Sequence, residues 1–354
     1  MAERMHRDES IRILPSLDLE RLLSEIPESQ ATANYHFCNW LKLTARYLTG
    51  NHDYDFVYFA GMTGALVGCY WCYDVRWDAI NMEYAYHDFR GRDFPGSKAL
   101  IDSVYRSFGF ECEVLSGRGI RDGAGVVWRE VRGSIDDGYP ILSFGLQDTV
   151  GDLIVGYDNE SRVYVCPGVG YFDSNNRDFI RVEDPLSKST CLVLIKAKAS
   201  PLSDRERAYV ALRNIKTVLN IPSTDEYAFA EEAYDAWAYE LANFSQEKYE
   251  GKDFGDLHAS LKVTVMTGNY HIGRFLDRIM PCLEDNIRSK LLEAKECFGR
   301  QGKAFDDLSR LEPGFWFDQR LLLDRNFGKQ LSDRLLEARE AFAEAKAIIN
   351  GIGL

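Results

Sequence analysis

No stretch of this sequence approaches the roughly 20 consecutive apolar residues that a membrane-spanning helix needs, so no spanning segment is expected. Basic charge is also scarce: 42 Lys and Arg stand against 55 Asp and Glu, a net charge of −13. Such a surface repels phosphate backbones and anionic lipid headgroups, so neither nucleic acid nor a membrane surface is an expected partner. The opening MAERMHRDESIRILPSLDLERLLSEIPESQ breaks up its apolar residues with charge and lacks the apolar core of a signal peptide. A soluble cytoplasmic protein is the expectation. Without a secretory signal, Cys38, Cys69, Cys72, Cys112, Cys166, Cys191, Cys282 and Cys297 are expected to stay reduced. Internal repeats and low-complexity stretches are absent, and no histidine occurs between His87 and His258.

What is present is 354 residues at 45% apolar composition, enough for one large domain or two ordinary ones. The chain changes character near residue 200. Before it, Tyr139 to Leu146, Asp152 to Tyr157, Arg162 to Val165 and Thr190 to Lys196 are dense in β-branched and aromatic residues. Their spacing predicts an antiparallel meander, with Asp158 to Ser161 turning one hairpin. Phe37 to Leu48, ending at Gly50, and Gly96 to Phe108, capped by Ser97, are predicted helices. After the linker Lys198 to Asp204 the strand signals stop. Ser203 and Asp204 cap a helix to about Leu219, and Ser223 or Thr224 opens the next, with Tyr227, Ala230, Tyr234, Trp237 and Leu241 as its apolar stripe. The last helix carries Leu331, Leu335, Ala338, Phe342, Ala345 and Ile349. The expected organisation is a helical extension over 1–30, an α+β domain over 31–200 and a helical bundle over 204–354.

Chemistry is suggested first by Asn34 to Gly50, NYHFCNWLKLTARYLTG. A cysteine at the start of a helix has its thiolate stabilised by unsatisfied N–H groups and the positive end of the helix dipole, and Cys38 is so placed. The alternative is a packed thiol, because free cysteine is among the most buried residue types.

A His-x-Cys opening to an apolar helix that ends Tyr-x-x-Gly, then Gly61 to Ala65 (GMTGA) and a strand ending in Val155 to Asp158 (VGYD), resembles the papain-like cysteine-peptidase superfamily. Within it the pattern is similar to the family of the N-terminal domain of butirosin-biosynthesis protein H, over roughly residues 30 to 200. The resemblance implies an antiparallel sheet packed on a core helix, with an all-α domain following. It also implies a nucleophile at Cys38, a histidine base on a strand, and an Asp or Asn orienting it. Relatives are amide hydrolases or acyltransferases, the butirosin protein being associated with acyl transfer from a carrier protein to an aminoglycoside.

The departures are specific. Relatives carry the histidine several residues before the glycine of GYD, yet Gln147 to Gly156 has none, and where relatives often read Asp-Pro this chain has Cys166-Pro167. Asp148 and Asp152 could take a proton, but a carboxyl with a pKa near 4 is a weak base for a thiol near 8.5. His36, two residues before Cys38, and His258 and His271 in the helical part are the substitute bases. Arg274, one turn after His271, suits an anionic or carbonyl substrate. Asp148, Asp152, Arg274 and Trp71 are the candidates for lining a substrate pocket.

Three further segments bear on function. Cys69 and Cys72 form a CxxC, which can be a redox pair at a helix start or half a zinc site, giving a thiol–disulfide protein as a third reading. No second pair sits at zinc spacing, and the segment is apolar enough for core. Ser116 to Gly125 (SGRGIRDGAG) fits no phosphate-binding pattern and is expected to be a mobile loop. Gly314 to Arg320 (GFWFDQR) is expected to dock on the first domain or a second subunit, with homo-oligomerisation as the consequence. The expected function is a cysteine-dependent acyltransferase or amide hydrolase of secondary-metabolism type acting on a small-molecule, peptide or carrier-protein-bound acyl substrate, its catalysis in question without the strand histidine. The alternative is a non-catalytic ligand-binding or assembly protein on the same scaffold. No cofactor and no metal are expected.

Overall fold

The computed structural model describes residues 11–14, 35–74, 96–146, 151–166, 179–252, 254–312, 314 and 317–354. In chain order they form β1 (Ile11–Ile13), α1 (His36–Thr49), α2 (Phe56–Met62), β2 (Tyr70–Cys72), α3 (Ser97–Ser107), β3 (Phe110–Ser116), α4 (Gly117–Asp122), α5 (Ala124–Asp136) and β4 (Ile141–Phe144). Then come β5 (Gly151–Asp158), β6 (Val163–Val165), β7 (Ile180–Val182), α6 (Pro185–Lys188), β8 (Cys191–Lys198), α7 (Asp204–Leu219) and β9 (Tyr227–Phe229). The chain finishes with α8 (Ala230–Ala242), α9 (Phe254–Ile279), α10 (Asp285–Leu311) and α11 (Arg325–Asn350). The architecture is α+β: an antiparallel seven-stranded sheet in the N-terminal region, then a helical C-terminal region. No described helix is long and apolar enough to cross a membrane.

By packing, the elements gather into two compact units, the first holding β1, α1 and α3 through β8. Its sheet runs in the order β3-β8-β4-β5-β6-β7, with β1 added on β5. Strands β4 to β7 follow one another as a meander, and β8 returns between β3 and β4. The β5–β6 turn is stapled by one carboxylate. Asp158 accepts from the backbone N–H groups of Glu160 and Arg162 at 2.9 and 3.1 Å, and from the Arg162 Nε at 2.6 Å. The Asp of VGYD therefore serves the hairpin. Helix α1 lies on the sheet: the Trp40 indole N–H donates to the Gly151 carbonyl at 2.8 Å, and the Phe37 ring sits 5.6 Å from that of Phe144. Gly50, at φ +68°, ends the helix and returns its N–H to the Arg46 carbonyl, a left-handed cap that glycine adopts without steric cost.

The second unit holds α2, β2 and everything from α7 onward. Ser203 and Glu206 form a reciprocal capping box at the start of α7. The long helices α10 and α11 pack along each other, and α11 also packs on α8. Tyr234, Trp237, Phe305 and Phe342 meet there, with the Tyr234 and Phe342 rings 5.3 Å apart. Residues 55–74 belong to this unit because their backbone is built into it. The Asn214 side chain donates to the Met62 carbonyl at 2.8 Å. A Cβ on Gly61 would lie 2.1 Å from the Phe275 ring, and one on Gly268 would lie 2.3 Å from the Leu66 carbonyl oxygen. β2 pairs with β9 in the register Tyr70↔Phe229, Trp71↔Ala228 and Cys72↔Tyr227.

Three expectations are corrected. No helix opens at Ser223 or Thr224; Tyr227–Phe229 is a strand, held by β2, and α8 begins at Ala230 with its backbone at φ +52°. Residues 117–122 are helical, not a loop, because Ile120 is fully buried and anchors the turn. Ile11–Ile13, placed in a helical extension, is a strand; its alternating isoleucines suit the edge of β5.

Candidate functional site

The N-terminal end of α1 has the polarity a cysteine nucleophile needs. Tyr35 precedes the helix without a side-chain capping bond, and the first turn carries no acidic residue. The first N–H groups therefore face whatever lies at that end, and Cys38 is the third helical residue. What the sequence could not show is how closed the site is. From Phe37 to Ala45 no residue is more than 6% exposed, and Cys38 is at 0%. A helix buried all round is a core element, and this sulfur is enclosed with it.

The sheet residues near the expected base and orienter are closed as well. Asp152, 1% exposed, uses Oδ2 to accept from the Leu146 N–H at 3.1 Å, bracing the start of β5. Cys166 is fully buried, its backbone N–H donating to the Leu153 carbonyl at 3.0 Å. Burial first, and the Asp152 charge second, hold its thiol in the protonated form. A neutral thiol there does not replace the carboxylate that would orient a histidine. Asp148 and the side chain of His36 lie outside the described residues.

In the second unit, His258 is at 0% exposure with both ring nitrogens engaged. Its Nδ1 accepts from the Trp237 indole N–H at 2.9 Å, so the proton sits on Nε2, which donates to Glu312 Oε1 at 2.6 Å. Lys262 pairs with the other Glu312 oxygen. Burial is the main force lowering the His258 pKa, and the Lys262 charge adds to it; Glu312 opposes both. The imidazole is thus neutral, and its hydrogen bonds are spent inside the core. Glu312 and Lys262 went unnoticed in the sequence because they lie 50 residues apart, with no spacing signal between them.

His271 packs its ring 5.3 Å from Phe56 and 4.9 Å from Tyr270. Its Nδ1 is buried without a hydrogen-bond partner. Burial first, then the charge of Arg274, lowers its pKa against the pull of Asp55. Arg274 is exposed one turn further along α9. Trp71 is fully buried, stacked on Trp237 at 6.3 Å and edge-on to Phe254 at 5.8 Å. It fills core instead of walling an open pocket.

Of the CxxC, Cys72 ends β2 and Cys69 stands just before the strand, and both are buried. Burial pushes the Cys69 thiol up to about 12, partly offset by a hydrogen bond with Tyr234, the reverse of a reactive redox cysteine. Among the described residues no three His, Cys, Asp or Glu side chains converge on a metal position. Phe315 and Trp316 of GFWFDQR lie outside the described residues. Phe317 packs 4.6 Å from the His258 ring and beside Phe327. The buried Phe317 ring is thus packed within the helical unit.

Of these residues, Cys38, Asp152 and Cys166 are buried in the first unit, His258, Glu312, Lys262, Trp237 and Trp71 form one buried cluster in the second, and His271 and exposed Arg274 stand outside that cluster. Comparison with family models and with curated proteins returned no match to this chain.

Proposed function

We propose that this protein is a non-catalytic ligand-binding or assembly protein on a papain-like scaffold similar to that of the butirosin-biosynthesis protein H N-terminal domain. Its partner would be a small molecule, a peptide or a carrier-protein-bound acyl group. The observation that carries this reading is the complete enclosure of Cys38. An acyl carbon must come within bonding distance of a nucleophilic sulfur. Asp152 bracing a backbone N–H and Cys166 as a buried neutral thiol agree with a site whose machinery has been converted to core.

The acyl-transfer or amide-hydrolysis reading keeps one supporting observation, the acid-free first turn of α1 around Cys38, to which Tyr35 gives no side-chain cap. It requires an opening motion. Alkylation rates separate the two. With iodoacetamide on the native protein, partly exposed Cys282 should label first and Cys38 should label no faster than buried Cys191. Labelling of Cys38 ahead of Cys282, with a midpoint below the free-thiol value of about 8.5, would establish an active nucleophile and sink the non-catalytic reading.

A further inference from the structure

Strand β4 pairs with β5 only from Phe144↔Gly151 to Ile141↔Ile154. The residue that would carry β4 on, opposite Val155, is Pro140, which has no N–H to give to a ladder. β5 nevertheless continues to Asp158. Its outer edge, Val155 to Asp158, would therefore present unpaired backbone groups.

That edge is filled by β1, in the register Ile13↔Gly156, Arg12↔Tyr157 and Ile11↔Asp158. The Leu14 N–H donates to the Val155 carbonyl at 2.9 Å. The place is cut to admit a backbone. A Cβ on Gly156 would lie 2.5 Å from the Arg12 carbonyl oxygen and 2.4 Å from the Ile13 side chain. The occupant shows what fits: Leu14 is buried, Ile11 and Ile13 are half-buried, and Arg12 points outward and is exposed. Recognition is by main chain and alternate aliphatic side chains, without charge. Among the described residues the occupant is a strand of three residues followed by Leu14, and residues 15–34 separate its end from the start of the α1 region.

We propose that Val155–Asp158 is a strand-acceptor slot for an extended peptide of the pattern aliphatic-x-aliphatic-aliphatic, and that Ile11–Leu14 is the chain's own displaceable strap within it. The proposal holds whether or not the Cys38 thiol reacts. A tethered strand acts at an effective concentration on the order of millimolar. A micromolar peptide should therefore enter only after the tether is cut.

The test uses the full chain with a protease site inserted within residues 15–34 and a fluorescein-labelled peptide of sequence DESIRILPS. After cleavage, anisotropy should report binding at least about tenfold tighter than to the uncut chain. Gly156→Val in the cleaved chain should abolish binding while the far-UV circular dichroism is kept. A cleaved chain that stays folded but ignores the peptide, binding indifferent to Gly156→Val, or unfolding on cleavage would each overturn the proposal. Hydrogen exchange on the uncut wild-type chain gives a second readout that needs no variant. The Leu14 amide should exchange at least about 100-fold faster than those of Leu192 and Val193 in β8, which is paired on both sides. Equal protection would mean that β1 opens only with the sheet, and would equally overturn it.

Discussion

Two ring nitrogens decide what His258 contributes. With the Trp237 N–H aimed at Nδ1, a second proton has no place on the ring unless that bond breaks, and the cluster would gain a net buried charge. Its folded-state pKa is held below the ordinary 6.5, so between the two values the unfolded chain binds more protons. Stability is then complete above 6.5 and declines as pH falls. Glu312, kept ionised against burial by His258 and Lys262, adds a loss of the same sign at lower pH. Urea denaturation from pH 7 to about 5 should show the decline, and His258→Gln should flatten it; a slope unchanged by the substitution would exclude this histidine as its source. Glu312→Gln should cost about 3–5 kcal/mol, read as a shift in the urea midpoint, because Lys262 would be left charged and unpaired in the core. None of this was legible from the sequence. His258 could be named as a base, but Trp237 and Glu312 reach it from distant segments of the chain, and pairing turned a site candidate into a core residue. For Cys38 the helix position was readable and the burial was not, since burial depends on what lies over the helix.

At the scale of elements, strong local patterns held. The β4, β5, β6 and β8 runs, the Gly50 stop and the Ser203 cap all stand where composition and turn chemistry put them. The failures share a cause. Tyr227–Phe229 has the apolar spacing of a helix, yet the open edge of β2 recruited it as a strand. The three residues of β1 are too few to signal on their own and exist because Pro140 leaves β5 half-paired. Helix-to-backbone contact is another feature no periodicity reveals. Gly268 brings α9 against the Leu66 carbonyl, and a Cβ would come within 2.3 Å of a backbone atom that cannot rotate away. Gly268→Ala should therefore destabilise by about 1–3 kcal/mol, although alanine favours helix elsewhere. A thermal melt matching or exceeding wild type would show that this approach is relaxed in solution.

At the scale of the whole molecule, the two units interleave along the chain. A cut at the linker near residue 200 follows the change of composition, yet it strips α2 and β2 from the helical unit. The Met62 carbonyl would vanish from Asn214, Gly61 from beneath Phe275, and β2 from the edge of β9. A fragment of residues 202–354 should accordingly melt without a cooperative transition, whereas the full chain melts cooperatively. Cooperative unfolding of that fragment by circular dichroism would show the helices to be self-sufficient.

The sequence by itself determined the α+β class, the succession of strands and then helices, and the position of Cys38 on its helix, because hydrophobic period, turn residues and caps act over a few neighbouring positions. Only the tertiary structure decided that the thiol is enclosed, that His258 is held by Trp237 and Glu312, and that Val155–Asp158 receives the N-terminal strand. Those outcomes depend on packing between segments tens to hundreds of residues apart, where the identity of a side chain says what it can do and its surroundings select what it does.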